Sequence, residues 1–196
     1  MRKMWKRVAG FLLLTVLVCG LLPVAAEAAA PENSFVLVAE AGGRLVIAPE
    51  YITYEAGLNI GQALGASDHI FDGLADGQVY AIDGVVGSYT RSDQTGSYDL
   101  AKPAAEVTHY RFSENIGSSQ PSEGLMMLMT AMADYLLEEP DVQAAAKAAY
   151  DTACMRFVGA SDKDAAAYAE DLIDAVAAYK NAIAGSTHSV TSPGSS

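Results

Sequence analysis

Cysteine is nearly missing from this 196-residue chain, which has only Cys19 and Cys154. The single Trp is Trp5. Positive charge is scarce too, with 12 Lys+Arg against 24 Asp+Glu. Four of those bases (Arg2, Lys3, Lys6, Arg7) lie in the first thirty residues, leaving 8 basic and 23 acidic residues beyond them and a formal charge of −15. A chain so poor in bases lacks the face that replaces condensed counterions. This excludes a backbone-driven nucleic-acid binder and argues against adhesion to anionic lipid. After residue 30 there is also no apolar run long enough to span a bilayer.

What is present begins with an export address. The basic start precedes the apolar run Val8 to Val24, which Gly10, Gly20 and Pro23 interrupt, and Ala26-Glu27-Ala28 fits a small-x-small cleavage site. Residues 1–28 are therefore expected to be a signal peptide cleaved after Ala28. The competing readings are an uncleaved anchor and a lipoprotein using Cys19, whose preceding residue is the bulky Val18. Cleavage leaves Cys154 as the only thiol, so no internal disulfide can form and a core must hold the domain together. Cys154 follows Tyr150 by four residues on an Ala-rich helix, as a packing residue would.

Two textures follow. Residues 33–116 are rich in β-branched and aromatic residues broken by glycine, and read as a small β-rich α+β domain with one short helix. Ser34 to Glu40 and Arg44 to Ala48 flank Gly42-Gly43 as a hairpin, and Tyr51 to Tyr54 reads as a further strand. Asn59 caps a helix with Ile60, Ala63 and Leu64 on one face. Gln78 to Ile82, Val85-Val86 and Val107 to Phe112 complete the strands, with Asp83-Gly84 as a tight turn and Thr90 to Asp99 as a polar loop. Residues 121–185 read as an antiparallel three-helix bundle. Helix one starts at Ser122 and stops before Pro140; helix two is capped by Asp141; helix three follows Ser161 and stops at Gly185. Residues 186–196 read as a flexible tail.

Ala148 to Ala153 and Leu172 to Tyr179 resemble the three-helix FIVAR-like modules of Gram-positive surface proteins. Gly57 to Leu64 followed by Gly77 to Gly84 is similar to the transcobalamin C-terminal-like (DUF4430) domain of exported bacterial proteins. That family carries a Trp-bearing strand after this glycine, which this chain lacks, so no binding residue transfers. Together the resemblances imply a secreted or surface binding protein.

Gly65-Ala66-Ser67-Asp68-His69 gathers the residue types of a hydrolase. However, a nucleophile elbow needs glycine where His69 stands, and triad members normally come from separate segments. Asp93 and Asp99, with Gly96 between them, are the first choice for a calcium site, although the Asp-x-Asp-x-Asp-Gly pattern is missing and no other cofactor is expected. His69, His109 and His188 lack zinc-ligand spacing. Tyr89, Arg91, Tyr98, Tyr110 and Arg111 could form a stacking and hydrogen-bonding surface. The expectation is thus a non-catalytic, secreted or cell-surface-associated module binding an extracellular glycan or protein. A secreted small-ligand carrier with a pocket in the β-rich domain is the alternative, and a hydrolase is third.

Overall fold

Ser34-Phe35-Val36-Leu37-Val38-Ala39-Glu40-Ala41 is apolar at consecutive positions, the pattern of a strand covered on both faces. In the computed structural model, which describes residues 29–114, 120–138, 140–158 and 162–187, this segment is β1 (Ser34–Ala41) at the centre of the main sheet. The expected signal peptide, most of the inter-region linker and the end of the tail lie outside the described residues.

Around the Gly42-Gly43 turn, β1 pairs antiparallel with β2 (Arg44–Thr53). The two strands expected on either side of Pro49 are one. Between Ile47 and Glu50, opposite Leu37 to Ala39, β2 carries one residue more than its partner, and Pro49 sits in that bulge. An edge strand can absorb a missing N–H at such a place.

The chain then forms α1 (Ile60–Gly65), β3 (Phe71–Asp72), β4 (Ala81–Ile82), β5 (Val85–Val86), β6 (Thr90–Asp93) and β7 (His109–Ser113). The main sheet has the order β2-β1-β7-β6, with β1 and β7 parallel and β6 antiparallel to β7, while β3-β4-β5 form a small antiparallel sheet. Asp83 and Gly84 both adopt positive φ (47° and 77°) in the β4–β5 turn, as a two-residue hairpin loop demands. The polar run Thr90 to Asp93, expected as loop, is instead the edge strand β6, and its Ser92 and Asp93 are buried. Backbone pairing with β7 overrides the polar side chains there.

Alternation along β1 divides the interior. Phe35, Leu37 and Ala39 join Tyr110, Phe112 and the α1 residues Ile60, Ala63 and Leu64 in one core. Val36 and Val38 face the other way, onto α2 (Glu123–Leu137), whose Leu128, Met129 and Met132 are fully buried. The α2 helix is capped by the Ser122 side chain, which accepts from Leu125 N at 3.1 Å. It lies against β2 and β1, and Tyr51 of β2 donates to Asp134 of α2 at 2.8 Å. The bundle is completed by α3 (Pro140–Phe157) and α4 (Asp162–Thr187), with α4 packed on both α2 and α3. Ala165 and Ala169 are buried, and Tyr135 stacks on Tyr150 at 4.3 Å. Helix α4 continues two residues past Gly185, consistent with the modest cost of one glycine in a helix. The architecture is α+β, with the helical bundle covering the outer face of a mixed sheet. None of the described helices is long and apolar enough to cross a membrane.

Candidate functional site

Helix α1 is short, and its sequence fixes both ends of what it does. The Asn59 side chain accepts from Gln62 N at 2.8 Å, and the Gln62 side chain accepts from Asn59 N at 3.0 Å, a reciprocal cap. The free N–H groups of Ile60 and Gly61 donate to the carbonyls of Lys102 and Leu100, each at 3.0 Å. One face of α1 is buried in the core. The other carries Gly61 and Gly65, four residues apart. A Cβ on Gly61 would lie 3.5 Å from Leu100, and one on Gly65 would lie 3.8 Å from Leu74. The missing side chains leave a groove open to solvent, about 600 Å³ in volume, floored by Gly61 and Gly65 and walled by Leu74 and Ala75 on one side and Leu100 and Ala101 on the other.

The second wall is held by a buried ion pair. Asp93 has no exposed side-chain surface, and its carboxylate accepts from Lys102 Nζ at 2.5 Å, from Thr95 N and Oγ1 at 2.7 Å each, and from Ser97 N at 3.0 Å. Burial pushes its pKa up, but the bonds from Lys102, Thr95 and Ser97 outweigh this and hold the carboxyl below its usual range. The Lys102 ammonium sits on the carboxylate expected to bind calcium, and Asp99 accepts from Ala101 N at 2.9 Å instead of converging with it. Among the described residues no group of three or more His, Cys, Asp or Glu is arranged to hold a metal ion.

Of the five residues expected to form one recognition surface, the fold presents two together. Arg91 Nε donates to the Tyr98 carbonyl at 2.9 Å, and the Tyr98 ring is exposed, two residues from the groove wall. Tyr89 is largely buried and donates its hydroxyl to the Val85 carbonyl at 3.0 Å. Tyr110 and Arg111 are consecutive in β7 and therefore lie on opposite faces of the sheet. Tyr110 is in the α1-side core, where the Arg91 charge acts on its hydroxyl from within, and Arg111 is on the α2 side. Strand alternation is the one signal in the sequence for that separation. The signal for the groove is the pair of glycines at i and i+4 opposite the apolar face of α1.

Ser67 and His69 do not meet as nucleophile and base. The Ser67 hydroxyl donates to the Leu64 carbonyl at 2.7 Å, while His69 Nε2 lies 2.6 Å from Glu50 Oε1 and Nδ1 lies 2.7 Å from Asp83 Oδ2. Burial pushes the Cys154 thiol above its ordinary pKa, away from the thiolate a nucleophile needs.

Comparison of the chain with protein-family models, curated proteins and solved structures gives no match.

Proposed function

We propose that this protein is an exported, non-catalytic interaction module that takes an apolar segment of a protein partner in the groove beside α1. The observation that carries this reading is the groove's composition. Its walls are Leu and Ala and its floor is glycine, with Phe71 and the Asn59 and Gln62 side chains also in the lining, and the backbone N–H groups of Asn59 and Gly61 are already spent on Gln62 and Leu100. The lining is mostly apolar, with Asn59 and Gln62 as its polar side chains, so it suits apolar side chains better than the many hydroxyls of a sugar. The exposed Tyr98, beside Arg91 at the end of one wall, supplies an amphipathic rim. Export is supported by the N-terminal basic and apolar pattern. The resemblances to surface and exported modules agree with a binding role.

A small-ligand carrier is the second reading, favoured by a volume of about 600 Å³, within the range of small-molecule sites. The exposure of the groove to solvent favours the extended partner.

The test is selection of displayed random peptides on the protein, with Ala101→Trp as a groove-filling control that leaves the core untouched. The expected outcome is a set of apolar peptides that bind the protein and fail on the variant. Peptides that bind both equally, or a glycan array bound equally by both, would overturn the assignment.

A further inference from the structure

Arg111 and Ser92 face each other across β7 and β6 in register, on the sheet face away from the groove. Ser92 is fully buried and Arg111 retains 8% of its surface, yet Ser92 Oγ and Arg111 Nε have no hydrogen-bond partner among the described residues. A buried polar atom left unpaired forfeits its hydration without compensation, and a charged one forfeits more.

The chain has carboxylates to spare, and three of its described lysines use them. Lys102 pairs with Asp93, Lys147 with Asp151 and Lys180 with Glu138. Arg111 makes no ion pair among the described residues. The acidic group that acts on it is Glu40, on the same face of the neighbouring β1, and Glu40 raises its basicity while burial lowers it. His109, two residues back on that face, has Nδ1 engaged by Thr108 Oγ1 at 3.0 Å and Nε2 by Thr130 Oγ1 at 2.9 Å. Among the described residues of this face, Arg111 and Ser92 therefore carry the buried polar atoms without a partner.

We propose that Arg111 and Ser92 form a subsite for the carboxylate of a small ligand. A guanidinium presents parallel N–H groups that fit a carboxylate's two oxygens, and the serine hydroxyl adds a donor from the adjacent strand. One positive charge neutralises one monoanion. A phosphate or sulfate dianion would carry one charge more than this guanidinium neutralises, facing Glu40. Nε and Oγ are themselves closed to solvent, so a ligand reaches them past the 8% of Arg111 that stays exposed. This subsite lies on the opposite face of the sheet from the groove, so it stands or falls independently of the interaction-module reading.

The experiment follows the Arg111 Nε–Hε resonance by 1H–15N NMR while sodium acetate, sodium chloride or sodium sulfate is added at matched ionic strength. The expected result is a saturable shift with acetate and none with chloride, and a several-fold weaker acetate response in Ser92→Ala. Arg111→Gln should abolish the acetate-dependent shift of the Ser92 amide. Absence of a saturable acetate shift, an equal response to chloride, tighter binding of sulfate than of acetate, or an unchanged response in Ser92→Ala would each overturn the assignment.

Discussion

His69 and Glu50 meet at 2.6 Å, Nε2 to Oε1, and the other ring nitrogen of His69 is engaged by Asp83 at 2.7 Å. Both partners are acceptor-only carboxylates and a neutral imidazole has one N–H, so both contacts are satisfied together only by the imidazolium. Burial pulls the His69 pKa down, but the hydrogen bonds and charges of Glu50 and Asp83 outweigh it and hold the pKa above its ordinary value of 6.5. The clamp joins the edge strand β2, the loop after α1 and the β4–β5 turn. Asp83 also fastens that loop by accepting from Ile70 N at 2.9 Å.

The clamp makes stability depend on pH in a defined direction. A histidine whose folded pKa exceeds its unfolded one contributes fully below about pH 6.5, and the contribution is lost as pH rises through the folded value. For a partly exposed, solvent-screened site this amounts to about 1 kcal/mol. The melting temperature of the protein minus that of His69→Gln should be largest near about pH 5.5 and shrink towards about pH 8.5. A difference that grows with pH would contradict the clamp.

His109 carries the opposite sign. It is half-buried against α2, where its Nε2 meets Thr130, and this burial holds its pKa below 6.5 despite a backbone contact with Met126. The folded state therefore loses stability as pH falls below about 6.5 towards the folded value. His109→Gln, which can keep the contact with Thr130 without charging, should flatten the acid side of the stability curve, as thermal melts between about pH 4.5 and 7 would show.

Asp93 is predicted to be the most sensitive carboxylate in the β-rich region. Asp93→Ala strands the Lys102 ammonium and frees the donors of Thr95 and Ser97, and should cost about 3 kcal/mol in urea unfolding. Because Lys102 already satisfies that carboxylate, millimolar calcium or a chelator should leave the melting temperature unchanged. A rise of several degrees with calcium would refute this account of the loop.

Gly73 and Gly77 both have positive φ (87° and 70°), but their surroundings differ. A Cβ on Gly73 would lie 2.0 Å from the Gln78 carbonyl oxygen and 2.7 Å from the Tyr80 ring, whereas one on Gly77 would have nothing within 4 Å. Gly77→Ala should cost about 1 kcal/mol from backbone strain alone, and Gly73→Ala about 3 kcal/mol or more once backbone must move. Equal losses in denaturant titrations would contradict the close approach of Tyr80 to Gly73.

These contrasts show which features are written locally in the chain. The β1–β2 hairpin, the Asn59 cap, the Asp83-Gly84 turn and the bundle helices follow from residue types at short spacing, and they are present. The faces of the helices are less legible. Tyr135 is buried and its neighbour Leu136 exposed, because α2 meets the sheet as well as its sister helices. Strand β6 is invisible to local reading because its stability comes from pairing with β7, beyond a long loop, and not from apolar alternation. The partners of His69 are hidden for the same reason. Glu50 lies 19 residues before it and Asp83 14 residues after, and no local pattern links them.

The central claim is that a protein partner occupies the groove beside α1. The most direct measurement is a map of backbone amide shifts when a peptide selected on the protein is added. The account predicts that the largest shifts fall at Gly61, Gly65, Ala75 and Ala101 and disappear in Ala101→Trp. Shifts confined to α3 and α4, or retained in full by that variant, would contradict it.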